Sequence, residues 1–468
     1  MEVMSKYEPV SAEVVAALQT ALGAEYVKTD AETLEKYKTD EETDPRYHHL
    51  PEVVVWPGST EEVAAVMKIA NRYNVPVTPR SAGTSVSCGA IPVYGGIVLL
   101  LERMDKIEEL NTEGMYMVVE AGARTVEIQE KANAAGFLYA GDPCSADSCL
   151  IGGNIATNAG GNKAVRYGTT RDQVYAIEAV TPTGDIVNVG ARLKKKSTGC
   201  CLEQLIMGSE GTLGIITKAT LKLLPLCPYK LDLLAIFTDL DKAVGLVPNL
   251  IKAGLNPTSV EFMDNAFVRS SSDYCELKLP HYEDGSYVIV TVETFNEDEL
   301  ESKMEQLDEI CSASGATDVL EADDRVWKLR RNCLESTRVL SLVSTSDDLV
   351  VPVDQIANCI RHLTKVAENY SFKLFTLAHA GDGNLHFQIL KGEMSDKQWE
   401  DEVSRFHAEA YPYVYSLGGR LSGEHGIGAK KVEAMEKYTE PVEMKMMKEI
   451  KRALDPKNIL NPGKVFNA

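Results

Sequence analysis

The sequence predicts an α+β fold with more than one domain. Three observations point there. The chain has 468 residues, more than one small core accommodates. Its first half opens as strand–helix–strand and then turns to many short strands separated by glycine turns. Its second half alternates apolar strands with amphipathic helices, the pattern of an antiparallel sheet with helices packed against it.

Taken in order, residues 1–47 read as a helical segment. SAEVVAALQTAL and DAETLEKY carry helical spacing and lead into the polar stretch TDEETDPRYHH. PEVVVWPGS is a buried strand ending in a turn. TEEVAAVMKIANRYN follows as a helix, with Thr60 placed to cap it and acids in the first turn. VPVTPR is a second short strand. Over 97–225 the strands are IVLLLE, YMVVEAG, YAIEAVTPTGDIVNVG and LGIITKATLKLLP. Between 226 and 420, KLDLLAIFT and SYVIVTVET alternate with DLDKAVGLVPNLIKAG and NEDELESKMEQLDEICSASG. After 421 the chain is helical at VEMKMMKEIKRALD and ends in PKNILNPGKVFNA. The expected division is therefore an N-terminal helical segment 1–47, a first domain 48–225, a second, cap-like domain 226–420, and a C-terminal segment 421–468 that returns to the first domain.

The charge balance excludes some partners. Asp plus Glu number 69 against 48 Lys plus Arg, a net charge of −21, whereas phosphate backbones need a basic footprint. Nucleic acid and anionic membrane surfaces are not expected partners. No apolar run approaches the ~20 residues of a membrane span. The polar start MEVMSKYEPVSAEVV carries no secretory signal, and the 10 cysteines fit no C-x-x-C pattern. Reduced thiols and a cytoplasmic location are the expectation.

HAGDGNLH at 379–386 lies between two strand-like runs, LFTLA and FQIL. A hairpin turn centred on Asp382-Gly383 would oppose His379 and His386 directly, close enough for both imidazoles to reach one metal ion. The bland alternative is a surface turn with incidental histidines. Three further stretches are dense in glycine and small polar residues: PRSAGTSVSCGA (79–90), SADSCLIGGNIATNAGGNKAVRYGTTRDQV (145–174) and MGSEGTLGIITKATLKLLP (207–225). Glycine admits close ligand approach, and consecutive backbone N–H groups form anion nests. Each stretch alone reads as a turn; together they predict a phosphate-bearing cofactor. None is a G-x-G-x-x-G fingerprint.

PRSAGTS with GA, IGGNIATNAGG, and GSEGTLGIIT closing in LKLLP resemble the FAD-binding half of the vanillyl-alcohol-oxidase superfamily. HAGDGNLH, SGEHGIG and ILNPGKVF resemble its glycolate-oxidase/D-lactate-dehydrogenase branch. The likeness runs from about 48 to 468. It implies the two-subdomain FAD-binding fold of that superfamily plus an α+β cap domain with an antiparallel sheet. The first stretch (Pro79, Arg80, Ser81, Ala82, Gly83, Thr84, Ser85, Gly89, Ala90) would wrap the FAD pyrophosphate. Gly152, Gly153, Asn154, Thr157, Asn158, Gly160 and Gly161 would run along the pyrophosphate and ribityl chain, and Glu210, Gly211, Ile215 and Ile216 would flank the adenine. Ser81 departs from the glycine of many relatives and asks for an ordinary φ or mild strain. No histidine lies between residues 50 and 280, so a histidyl flavin tether in these loops is excluded and FAD is expected to be non-covalent.

By the same resemblance His379, His386 and Glu424 would bind one divalent metal ion (Zn, Fe or Mn), His425 would be the general base, and Arg330 would receive the carboxylate of a 2-hydroxy acid. Arg330 fits the relatives' W-x-x-R pattern with Trp327 better than its neighbour Arg331, and Asn384 is a further candidate contact. Relatives acting on dicarboxylic acids tend to carry a lysine near STSDDLVVP, which has none here; a short monocarboxylate such as lactate or glycolate is favoured. The chain resembles especially the flavin subunit of lactate dehydrogenases coupled to an electron-transferring flavoprotein, so that protein's alpha and beta subunits are expected partners. A homodimer within a larger complex is one possible assembly. A glycolate or D-2-hydroxyglutarate dehydrogenase with another acceptor is the alternative. A metallohydrolase would leave the glycine stretches unexplained. A non-catalytic flavin-binding subunit sits poorly with the intact histidine motifs.

Overall fold

A computed structural model describes residues 6–42 and 44–468. The polar start at 1–5 and Thr43 of the stretch TDEETDPRYHH lie outside the described residues. The chain divides into two compact units: one made of 1–160, 169–226 and 424–468, the other of 161–168 and 227–423.

In the first unit, Val53–Val55, Ile97–Leu100 and Val77–Arg80 form a parallel sheet, with Val27–Lys28 antiparallel at its edge. Val53–Val55 and Ile97–Leu100 are wholly apolar and buried, as strands covered on both faces are. The helix Ala12–Leu22 buries Val14, Leu18 and Leu22, one face at four-residue spacing, and Ser11 caps it. The helix Thr60–Tyr73 is capped by Ser59, not by Thr60; the Thr60 hydroxyl instead donates to Glu178 at 2.6 Å. Asn74 ends this helix in the left-handed region. A second sheet is wholly antiparallel, in the order Ile107–Asn111, Tyr116–Glu120, Ile215–Lys222, Val174–Val180, Ile186–Gly190. The stretch YAIEAVTPTGDIVNVG, read as one of the strands, is two strands paired as a hairpin through TPTGD.

The second unit is built on a seven-stranded antiparallel sheet. Its strands run in the order Asp318–Glu321, Tyr229–Phe237, Ser286–Thr294, Ser259–Met263, Lys373–His379, Asn384–Leu390 and Ser344–Val350. The helices Leu240–Lys252 and Glu297–Ala313 fall where the amphipathic runs placed them. The mixed helix and antiparallel-sheet content is the α+β class read from the sequence. All ten cysteines are free. No helix among the described residues is long and apolar enough to cross a membrane.

Candidate active site

The second unit's site lies on one face of its sheet. The hairpin 373–390 does form, but His379 pairs with Asn384 and His386 with Leu377. The turn is therefore the four residues 380–383, centred on Gly381-Asp382, and the directly opposed histidine pair expected from Asp382-Gly383 is corrected to a diagonal one. The shift is by two positions, which preserves the face. The imidazoles still meet, with ring centroids 5.2 Å apart and planes near perpendicular. One ligand-type atom of each lies within 4.8 Å of the other.

Flanking strands complete the row. Glu261 on Ser259–Met263 is opposed to His379, and Asp348 on Ser344–Val350 is opposed to His386. Directly opposed residues share a face, so acid, imidazole, imidazole and acid follow one another across four strands. Glu261 is fully buried, with its Oε1 2.7 Å from His379 Nδ1. Its Oε2 accepts from Nε and Nη2 of Arg330 at 2.9 and 2.6 Å. Burial pushes the Glu261 carboxyl up, but His379 and Arg330 outweigh it and the group ends below its usual range. Arg330 sits on the helix Asp324–Arg331, and its Nε–Nη2 edge is thus committed to Glu261.

Asp348 is also fully buried. It accepts from Asn384 Nδ2 at 2.6 Å, from the Ser422 hydroxyl at 2.5 Å and from the Gly423 N–H at 3.1 Å. Asn384 donates as well to Leu349 O at 3.1 Å, so its amide NH₂ is turned into the protein. Asp348 also has an oxygen within 4.8 Å of a His386 nitrogen, but three donors already engage its carboxylate, which suits an anchor for the strand ends better than a ligand. The pair of imidazoles, one held through Nδ1 by a carboxylate, fits a divalent transition metal.

In the first unit the glycine stretches converge on the loop that carries His425. Residues 82–86 follow the strand Val77–Arg80, and among the described residues no protein acceptor takes their backbone N–H groups. Gly83 is in the left-handed region at φ 79°, and consecutive N–H groups bent this way form a nest for phosphate oxygens. That nest fits the pyrophosphate of a dinucleotide. Ser85 Oγ accepts from Ser87 and Gly89 N–H at 3.2 and 3.1 Å and stiffens the loop. Ser81 has no positive φ, the ordinary backbone that the sequence allowed. Below the loop Arg80 donates to Thr39 O at 2.6 Å.

The segment with Gly152 and Gly153 is a short helix, Ile151–Thr157, where the sequence suggested only a glycine loop. Two glycines cost helix propensity. Packing explains their presence: a Cβ on Gly152 would meet Ala121 Cβ at 2.7 Å, and one on Gly153 would meet Ser81 Cβ at 3.0 Å. Asn154 donates inward to Thr125 at 2.7 Å, and Thr157 bonds Gly153 O. Asn158 ends the helix in the left-handed region. Gly161 belongs to the second unit. Ile215 and Ile216 are core residues, and Gly211 lies against Pro79.

Glu210 has a task the sequence did not suggest. Its buried carboxylate accepts from the N–H groups of Ile427 and Gly428, both at 2.7 Å. Burial raises its carboxyl despite these donors. The Ser87 hydroxyl donates to His425 O at 2.9 Å. A Cβ on Gly428, at φ 54°, would fall 1.8 Å from Ser87 O. Within the same loop Glu424 Oε1 is 3.5 Å from His425 Nε2, and a Cβ on Gly160 would stand 2.7 Å from Glu424 Oε2. The terminal ILNPGKVF braces the assembly: Asn461 donates to Glu210 O at 2.7 Å, Lys464 to Ile91 O at 2.6 Å, and Val465 N–H to Gly428 O at 2.9 Å.

Sequence reasoning missed Glu261, Asp348 and the clamping role of Glu210. An acid inside the apolar strand SVEFM and the doublet DD inside STSDDLVV were the available signals.

A nest able to take a dinucleotide's phosphates in one unit and a carboxylate-braced histidine pair in the other fit a flavoprotein oxidoreductase, the class that the chain's relatives share. The profile of the FAD binding domain matches residues 51–190, and that of the FAD linked oxidases' C-terminal domain matches 230–465. A D-lactate dehydrogenase of Anaerostipes hadrus is 36% identical over 425 residues, covering 89% of each chain. The glycolate oxidase subunit GlcD of Bacillus subtilis is 34% identical over 90% of each chain. A D-lactate dehydrogenase of Archaeoglobus fulgidus is 37% identical over 88% of this chain and 91% of its own. The chain belongs to the FAD-linked oxidase family. Among solved structures, p-cresol methylhydroxylase with bound substrate superposes with a TM-score of 0.83 at 17% identity, covering 97% of this chain and 96% of its own. The 4-ethylphenol oxidase of Gulosibacter chungangensis superposes at 0.79 and 20% identity, covering 98% of each chain. These two likenesses establish the fold, the vanillyl-alcohol-oxidase type.

Proposed function

We propose that the chain oxidises a small 2-hydroxy acid, D-lactate first among candidates, to the 2-oxo acid and passes the electrons to an electron-transferring flavoprotein. The observation that carries this reading is Glu261, one buried carboxylate holding an imidazole and a guanidinium together on the second unit. An α-hydroxy carboxylate presents a hydroxyl and an anion next to each other, and such a pair answers both, the imidazole through the metal it would hold and the guanidinium directly.

FAD, non-covalently held by the 82–86 nest and the helix Ile151–Thr157, supplies the two-electron acceptor when bound. A divalent metal held by His379, His386 and Glu424 would supply a Lewis acid. His379 presents Nε2 as the ligating nitrogen, because Nδ1 faces Glu261. Arg330, oriented by Glu261 along its Nε–Nη2 edge, binds the substrate carboxylate. Asn384 offers Oδ1, its NH₂ being engaged by Asp348 and Leu349. His425 takes the hydroxyl proton, the task an imidazole performs best near neutral pH.

The relatives named D-lactate dehydrogenase favour lactate. The relative named glycolate oxidase subunit favours glycolate as the second reading. The test is anaerobic flavin reduction: D-lactate, L-lactate, glycolate and D-2-hydroxyglutarate are added separately to purified protein. Loss of the visible flavin absorbance with D-lactate alone supports the reading. Bleaching by glycolate alone selects the second. A yellow protein that none of the four reduces sinks both.

A further inference from the structure

We propose that Glu261 is a positioning residue that fixes the metal-binding imidazole and the substrate-binding guanidinium through one carboxylate. The inference rests on the hydroxy-acid reading above and extends it to a residue that touches neither metal nor substrate in that scheme.

Three observations carry it. Glu261 is 0% exposed on a strand whose five residues are all buried, so no water competes for its oxygens. Its two oxygens are divided: Oε1 lies 2.7 Å from His379 Nδ1, and Oε2 receives both N–H groups of one Arg330 edge at 2.9 and 2.6 Å. Its strand is directly registered on that of His379, Glu261 against His379, so the backbone ladder fixes the acid relative to the histidine.

The consequences are geometric. Oε1 keeps the proton of His379 on Nδ1, and this selects Nε2 as the ligating nitrogen and sets the ring plane. Oε2 fixes the guanidinium plane, and with it the direction in which Arg330 meets a carboxylate. A rotation of the Glu261 carboxyl would disturb both. A buried acid with two cationic or donor partners also resists loss of either one.

The test is Glu261→Gln, made in the full chain and loaded with FAD. Gln keeps the volume, but it has one acceptor oxygen where Glu261 has two, and its NH₂ faces a donor. Two equilibrium readouts are needed. Zinc retention is measured by chelator competition, and pyruvate binding by its perturbation of the oxidised flavin spectrum. The expected result is a roughly 10–100-fold loss of zinc affinity, the usual effect of removing a partner behind a ligating histidine. It comes with a weaker pyruvate affinity and a lower melting temperature, because buried Arg330 loses its counter-charge, while flavin content stays close to wild type. Glu261→Asp, which keeps the charge on a shorter stem, restores part of both; it also carries the test if the Gln variant fails to fold. Wild-type zinc and pyruvate affinities in the variants overturn the positioning role alone. A wild-type protein that retains no zinc and binds no pyruvate removes the hydroxy-acid reading and this inference together.

Discussion

His425, Arg330 and His386 can each be replaced without taking an apolar side chain from a core. His425→Ala is expected to lower kcat by roughly 10²–10⁴-fold, the usual worth of a positioned base, with flavin content unchanged in the visible spectrum. Arg330→Met is expected to weaken hydroxy-acid binding by about 1.5–3 kcal/mol, the range for hydrogen bonds to a charged group; an unchanged KM would remove Arg330 from the carboxylate role. His386→Ala is expected to lose metal, read by elemental analysis, and most turnover while staying yellow. Asp264 gives a pH signature away from this chemistry. It caps the helix Asn265–Tyr274 through Phe267 N–H at 2.8 Å and accepts from Thr376 N–H at 2.5 Å, and burial raises its carboxyl to about 7. The folded state therefore holds this proton more tightly than the unfolded chain does. The resulting stability is complete below about pH 4 and is lost as pH rises through about 7. In Asp264→Asn the decline of melting temperature over that interval should flatten; an unchanged slope would exclude Asp264 as its source. The histidine hairpin was legible at this scale because histidines are few, 8 in the chain, and the glycine loops because their glycines cluster. Glu261 was not: its partner His379 is 118 positions away, and no local pattern marks an acid that is satisfied across strands.

Single elements were legible where their period was clear, as in the helices Thr60–Tyr73 and Leu240–Lys252. The helix Ile151–Thr157 was hidden because its two glycines answer to neighbours distant in sequence, Ala121 and Ser81. That hidden fit is testable. Gly152→Ala must displace Ala121 or its own helix and is expected to cost about 1–3 kcal/mol, as overpacking does, with loss of FAD on gel filtration. Gly153→Ala meets only the Ser81 side chain, Cβ at 3.0 Å and Oγ at 3.2 Å, and should do less harm. The hairpin 373–390 shows the converse error. Asp382-Gly383 marked a turn correctly, but a four-residue connection won over a two-residue one, and only the even shift kept both histidines on one face.

Across the whole molecule the first unit is assembled from three separate stretches of chain, 1–160, 169–226 and 424–468. The class of fold was legible from strand and helix order, and a return of the C-terminal segment to the first domain was expected; the transfer of 161–168 to the second unit was not, because no local pattern marks it. Deleting residues 456–468 should accordingly strip FAD from the purified protein while leaving the second unit's sheet intact by circular dichroism. With a net charge of −21, reoxidation by an electron-transferring flavoprotein should depend on salt if the partner's docking face is basic. The grip of Glu210 on the loop carrying His425 has a further consequence. Two irregular-loop amides, Ile427 and Gly428, end on one sequestered carboxylate. In deuterated solvent they should exchange as slowly as amides in a sheet interior, because releasing either one requires opening the cooperative unit around Glu210.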